Sequence, residues 1–380
     1  MFKKTFQSRI CHLTTVHSHF DERIFYKEVK TFVKAGYDVV LIAQNDKEEI
    51  VDGIRIVPLP MLKNRLKRMV LLPFPCLLKA LKQKANVYHF HDPELLLVGL
   101  LLKLMTKANV IYDVHEDYGK QILSKSYLPK FARSTIAWAV NKIEKVISRT
   151  FDAIVTATDD IFNNFSYHKR AVAVKNFPVL SNFAEIKKDH TNNSGVFNLI
   201  YVGGLTEIRG VTQMIQALEY INSNKKVNLT LCGKFYPANY EKQVRSLKGF
   251  EKVEYKGWIE PQDIPSTITQ ADVGIVCLHP ITNYLTALPV KLFEYMAVGL
   301  PVIASNFPLW KEIVEGNNCG VCVDPLNPKE ITRAVKYLIE HPELRKKMGE
   351  SGRKAIVEKY NWEKESKKLI KLYKELLVPC

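Results

Sequence analysis

The sequence lacks a long hydrophobic run. Its most apolar stretches are Leu95 to Leu102 and Met69 to Leu78, the second broken by Pro73 and Pro75. Both fall well short of the roughly 20 residues that cross a bilayer. The basic start, Met1 to Ile10, has no apolar run behind it and does not read as a signal peptide. Paired cysteine spacing is equally scarce. The 7 cysteines are an odd number scattered over 380 residues, which fits thiols in a reducing cytoplasm and not a disulfide framework. Cys319-Gly-Val-Cys322 has redox or zinc spacing but no second pair, so it reads as packing. No low-complexity tract, no repeat between the halves and no nucleic-acid signature beyond charge is present.

What is there is a folded chain, 47% hydrophobic and 25% charged. Its length suits two domains of about 150–200 residues each. The net charge of +16 favours anionic partners. Short β-branched runs alternate with helical periodicity, the pattern of βαβ units and parallel sheets. Strands are expected at Arg9 to Thr14, Asp38 to Ala43, Val87 to Phe90, Val110 to Val114, Ala153 to Ala157 and Val172 to Val174. A helix is expected over Asp21 to Ala35, with Ile24, Phe25, Val29, Phe32 and Val33 on one face. Asn176 to Asn193 reads as a linker, after which the alternation restarts at Asn198 and runs through Gly320 to Val323. Trp362 to Leu377 reads as an amphipathic helix. The expectation is α/β: residues 1–178 as one doubly wound, Rossmann-like domain, residues 194–360 as a second, and residues 361–380 packing back on the first. Two such sheets facing each other would make a cleft, with loops at the C-terminal strand ends aimed into it.

Two segments of the second half carry chemistry. Pro289-Val-Lys-Leu-Phe-Glu-Tyr-Met-Ala-Val-Gly-Leu-Pro-Val-Ile-Ala-Ser305 reads as a helix opened by Pro289, closed by Gly299 and followed by a buried strand. The first turn of such a helix offers free N–H groups and a positive dipole to a pyrophosphate. Lys291 adds charge, and Glu294 is placed to accept ribose hydroxyls, although a solvated glutamate on an amphipathic helix has the same pattern. Tyr201-Val-Gly-Gly-Leu-Thr-Glu-Ile-Arg209 reads as strand, glycine loop and helix start. There Gly203 and Gly204 admit a ligand close to the backbone, and Arg209 can fork onto phosphate.

In the first half, Thr14-Thr-Val-His-Ser-His-Phe-Asp-Glu-Arg23 offers His17, His19, Asp21 and Arg23 to an acceptor or phosphate, with Asp21 equally suited to cap a helix. His91 and Asp92 end one strand, with His89 on the same face as His91. Asp113, His115 and Glu116 end another. These groups have no tight metal-ligand spacing, so no metal is expected. Met61 to Lys84 and Tyr127 to Arg149 are basic and amphipathic, fitting either a solvated helix face or contact with an anionic membrane.

Together these segments resemble the retaining nucleotide-sugar glycosyltransferases of family 4, whose two-domain fold is called GT-B, over nearly the whole chain. Landmarks occur in that family's order: Tyr201-Val-Gly-Gly-Leu with Arg209-Gly210, Tyr255-Lys-Gly-Trp-Ile259, Ala271-Asp-Val-Gly274, and Lys291-Leu-Phe-Glu-Tyr-Met-Ala297 before Gly299-Leu-Pro-Val-Ile303. The resemblance implies that Arg209 and Glu294 bind the donor's diphosphate and ribose, with Gly203, Gly204, Lys291 and Leu292 beside them. Trp258 and Ile259 would face the nucleobase, and His91 would lie near the sugar. The catalytic set it implies is His91, Asp92, Arg209 and Glu294. The acceptor side is His17, Asp21, Arg23, Asp113, His115 and Glu116.

Two departures stand out. Gly204 replaces an arginine common in the family, and Thr286 stands where the glutamate paired with Glu294 would be. The implied reaction is retaining transfer from a nucleoside diphosphate sugar, a UDP sugar favoured, without a further cofactor. The implied acceptor is a glycan hydroxyl, as in capsule or lipopolysaccharide synthesis on a lipid carrier at the inner membrane face, with no nucleic acid as partner. A nucleotide-sugar epimerase of the same fold and a non-catalytic basic binding module are the alternatives.

Overall fold

The structure, a computed structural model, describes residues 8–123, 129–184 and 195–378. The chain forms two compact units, Met1–Asn176 with Lys364–Cys380, and Phe177–Glu363.

The first unit is built on eight strands: β1 (Arg9–Ser18), β2 (Asp38–Gln44), β3 (Glu49–Val51), β4 (Ile54–Leu59), β5 (Val87–Phe90), β6 (Asn109–Val114), β7 (Ala153–Thr156) and β8 (Ala171–Ala173). Their order is β3-β4-β2-β1-β5-β6-β7-β8, parallel except for the β3–β4 hairpin. That hairpin has no counterpart among the strands expected from sequence. It turns at Asp52-Gly53, both at positive φ (54° and 80°), the dipeptide that a tight primed turn selects.

The helix after β1 also departs from expectation. Glu22–Val29 is a π-helix, and only Lys30–Lys34 (α1) is α-helical. The wider turn brings Arg23, Lys27 and Glu28 onto the inner face beside Ile24 and Phe25. A period of 3.6 assigns Arg23 and Lys27 to solvent, whereas Glu28 follows Ile24 by four residues and falls on the apolar face.

Over one face of the sheet run α2 (Arg65–Leu71), α3 (Pro73–Gln83), α4 (Leu96–Met105), α5 (Tyr118–Leu123) and α6 (Lys130–Ser148). Cys76, Leu77, Ala80, Leu96, Val98 and Leu102 pack there against Tyr88, Phe90 and Tyr112. The last helix, Trp362–Leu377, places Tyr373 against Phe32 and donates or accepts a 2.7 Å hydrogen bond between the Tyr373 hydroxyl and His89 Nδ1.

The second unit holds β9 (Val196–Val202), β10 (Lys226–Cys232), β11 (Val253–Gly257), β12 (Val273–Val276), β13 (Val302–Ser305) and β14 (Gly320–Val323). They form one parallel sheet in the order β11-β10-β9-β12-β13-β14. Its two faces carry separate apolar cores, one centred on Leu292, Tyr295, Met296 and Trp310, the other on Leu199, Leu229, Met214 and Val335. The predicted linker lies outside the described residues from 185 to 193. Before that, Phe177 and Phe183 are already part of this unit's core.

Candidate active site

In the second unit the strand ends are tied at one level. Gly203 donates its N–H to Cys232 O (2.8 Å), and Gly233 donates to Gly257 O (2.6 Å). All three glycines lie at positive φ (127°, 144° and 68°). A side chain at Gly233 would strike Gly203 O, so the loops after β9 and β10 pack backbone to backbone.

Onto this platform two basic side chains converge. A Cβ built at Gly203 would lie 2.6 Å from Lys291 Nζ and 3.6 Å from Arg209 Nη1. Arg209 closes a short turn, Glu207–Arg209, before Gly210 at φ 74°, where any side chain would meet Cys277 O. Its guanidinium lies over Gly204, where a Cβ would stand 2.8 Å from Nη1. Arg209 thus occupies the space beside the Gly204 backbone.

Lys291 sits on the first turn of the helix Val290–Ala297, with Nζ 3.8 Å from the Tyr201 ring centroid. Burial and the neighbouring Arg209 push its pKa well below the usual lysine value, against an opposing pull from Glu294. Pro289 is the N-cap of this helix, in extended conformation, and not its first helical residue. The helix is anchored by Tyr295, whose hydroxyl accepts Val202 N–H (2.9 Å). Glu294 is half-buried one turn in. The Leu292 side chain is wholly buried in the core, where it supports the helix. Trp258 is exposed after β11, with Lys234 Nζ 5.3 Å from its ring, and Ile259 packs against the core. Thr286 ends the short helix Thr282–Leu285.

The first unit brings together most of its predicted residues, in a different order of depth. His91 is wholly buried. Its Nε2 is 2.9 Å from His12 Nδ1, and its Nδ1 is 3.2 Å from His115 Nε2 and 3.3 Å from Asp113 Oδ2. Burial lowers its pKa to about 4, so it is neutral at neutral pH with both ring nitrogens engaged. His115 and His17 retain side-chain exposure, 11% and 27%, and their rings lie 4.9 Å apart.

Asp92 is a clamp. Its Oδ2 accepts from Thr14 Oγ1 (2.9 Å), Thr15 N (2.6 Å) and Val16 N (3.1 Å), fixing the C-terminal part of β1. Asp21 caps the π-helix through Arg23 N and Ile24 N (2.9 and 3.0 Å) while its other oxygen meets His17 Nδ1 at 3.2 Å. Glu116 is exposed beside Gln121.

Arg23 does not reach outward. It forks onto Asp113 (Nε–Oδ2 3.1 Å, Nη2–Oδ1 3.0 Å), lies 3.0 Å from Glu28 and donates to Val174 O (2.7 Å). Burial alone would raise the Asp113 pKa, but Arg23 and His115 hold it well below the usual carboxylate range. Burial and Asp113 push Glu28 the other way, toward its neutral form.

Sequence reasoning missed His12 and Glu28. His12 is the cross-strand neighbour of His89, and the rings of His12, His89 and His91 stack at 4.6–5.2 Å. A lone polar residue in the apolar run Ile10 to Leu13 was the available signal. Glu28, His89, His91 and Asp113 place one donor atom each within 4.8 Å of one another. Arg23 already supplies a fixed cation at Asp113 and Glu28, so a metal ion there would face its repulsion.

Residues 182–355 match the family described as glycosyl transferases group 1, and residues 22–173 match glycosyltransferase family 4. The chain belongs to the group 1 glycosyltransferases. These are enzymes that transfer sugars, and the two parallel α/β units have their GT-B fold. This glycosyltransferase is similar to spore coat protein SA of Bacillus subtilis, 27% identical over 47% of the chain and 48% of that protein, so that match spans about half of the relative. Among solved structures it resembles sucrose-phosphate synthase from Thermosynechococcus elongatus, with TM-score 0.75 and 18% identity over 97% of this chain and 99% of that one. It also resembles HepE of Anabaena in complex with UDP-glucose, with TM-score 0.70 and 14% identity over 97% of this chain and all of that one. No described helix is long and apolar enough to cross a membrane.

Proposed function

We propose that this glycosyltransferase moves a sugar from a nucleoside diphosphate sugar, with UDP sugars favoured, to a hydroxyl of a growing glycan on a lipid carrier, with retention at the anomeric carbon. One observation carries the donor half: Lys291 and Arg209 meet over the glycine platform Gly203–Gly204, at the start of the helix that bears Glu294. Two cations and free helix N–H groups suit a diphosphate whose charge grows as the sugar leaves. Glu294, one turn further, takes the ribose hydroxyls. HepE, of the same fold, holds UDP-glucose, which favours uridine. On the acceptor side the partly exposed His115 and His17 meet the acceptor; His91 and Asp113 hold His115 from beneath, and Asp21 and Asp92 hold His17. In front-face transfer the leaving phosphate takes the acceptor proton, so neither histidine is required as the base.

A thermal-shift screen against UDP, GDP and ADP sugars tests this reading. Donor at about 100 times its Kd stabilises the native state by roughly 2.7 kcal/mol. UDP sugars should raise the Tm of the wild type, and Glu294→Ala should abolish the rise. No response to any nucleotide sugar would refute the assignment, and donor turnover without acceptor would indicate an epimerase.

Lys291 adds a pH signature. Its pKa is depressed in the free protein, and a diphosphate beside it raises the value again, so donor binding takes up a proton. Affinity therefore falls as pH rises above the free-protein pKa. Calorimetry in two buffers of different ionisation enthalpy should show proton uptake in the wild type and none in Lys291→Met. Identical heats for the wild type in both buffers would contradict this.

A further inference from the structure

We propose that the outer face of α2, α3, α4 and α6 docks on an anionic lipid bilayer. These helices lie side by side, α2 against α3, α3 against α4 and α4 against α6, and their inner sides cover the sheet. Their outer sides are apolar to a degree that the core does not require. α2 buries none of its residues. Leu66 and Val70 on it are 73% and 75% exposed, Leu104 on α4 is 73% exposed and Phe131 at the start of α6 is 86% exposed. Phe74 of α3 and Trp138 of α6 are exposed between them. Sequence periodicity pointed to the segments containing α2, α3 and α6. The structure adds α4, whose run of leucines is buried on one side and exposed on the other.

The charge on this face has one sign. α2, α3 and α4 contain no acidic residue. The single acidic side chain of α6, Glu144, is turned inward onto the Tyr112 hydroxyl at 2.7 Å. Arg65, Lys67, Lys142 and Lys145 are exposed among the apolar groups, and Lys142 lies 4.8 Å from the Trp138 ring, a pairing suited to a headgroup boundary. Contiguous exposed apolar surface marks an interaction site, and basic side chains interspersed in it complement anionic headgroups. A second copy of the same face would bring like charges together. No described helix can span a bilayer, so the face lies on the surface.

The inference deepens the lipid-linked acceptor reading, on which it rests for its purpose. Its test needs neither donor nor acceptor, so its failure is distinct from failure of sugar transfer. The full chain should co-sediment with vesicles of phosphatidylcholine containing phosphatidylglycerol and not with phosphatidylcholine alone, and binding should weaken as salt is raised. Leu66→Glu with Val70→Glu, and separately Phe131→Ser with Trp138→Ser, should each lower the partition into anionic vesicles about tenfold or more. All four side chains are exposed, so thermal unfolding should match the wild type. If one pair misfolds, the other still reports. Equal binding to both vesicle types, no binding to either, or full binding by a folded variant overturns the proposal. A dimer in solution that both variants dissolve would assign the face to a second copy instead.

Discussion

Replacing Arg209 by alanine is expected to lower kcat/KM for sugar transfer by about two to three orders of magnitude, the loss typical when one preorganised donor to a developing negative charge is removed. The size of the effect follows from how the side chain is held. Arg209 closes the turn Glu207–Arg209, and Gly210 behind it is locked at φ 74° against Cys277 O. The guanidinium lies over Gly204, with Nη1 3.4 Å from the Gly204 carbonyl oxygen. It needs no reorganisation when the leaving diphosphate gains charge. Lys291 is the second cation, but burial and Arg209 itself weaken its hold on a proton. Removing Arg209 therefore relaxes Lys291 toward its charged form, and that compensation keeps the loss finite. Arg209→Lys should recover part of the rate only, because an ammonium cannot fork across two phosphate oxygens. Steady-state kinetics with a UDP sugar would check both variants. A loss below tenfold for the alanine variant would remove Arg209 from the transition state and leave Lys291 as the principal cation.

The donor side was legible because its signals are local. Gly203-Gly204, Arg209 and the Lys291 to Glu294 turn each announce themselves in a short segment, and the parallel order β9-β12-β13 brings those segments to one end of a sheet. What those signals leave out is depth: the Leu292 side chain faces the core. The acceptor side was legible as a set of residues and illegible in depth. Strand alternation puts His91 at a strand end. It does not reveal that the end of β1 clamped by Asp92 and the π-helix would bury it. Nor does a 3.6-residue period reveal that Arg23 and Lys27 turn inward, because that depends on the wider π turn. The Asp52-Gly53 hairpin is a different case. Its turn signal was in the sequence, but β3 is only three residues long and too short for periodicity to register.

Arg23 gives the other large effect, on stability and not on rate. Sequence position suggested a residue that meets the acceptor. In the structure its guanidinium is 4% exposed and spent on Asp113, Glu28 and Val174 O. Arg23→Met removes the cation and leaves Asp113 wholly buried with only histidines opposite it. Breaking a buried pair in this way costs about 3–5 kcal/mol, because the remaining charge is uncompensated. The deficit should depend on pH in a defined direction. In the wild type the Asp113 pKa is depressed, so its pairing stabilises the fold above the ordinary aspartate value and is lost as pH falls through the folded value. In the variant the pull of Arg23 is gone while burial still raises the Asp113 pKa against His115 and His91, so the group takes a proton at higher pH than in the wild type and the penalty shrinks on acidification. The gap between wild type and variant is therefore widest near neutral pH and narrows as pH drops toward the aspartate range. Adding Asp113→Asn to Arg23→Met should restore part of the loss, since the orphaned charge is gone, and the double-mutant cycle should show strong coupling. Urea unfolding followed by calorimetry of the separate transitions measures all of this, because a chain of two units need not unfold in one step. A destabilisation below about 1 kcal/mol with no pH dependence would mean that the pair behaves as a solvated one. Arg23 would then be available to the acceptor after all.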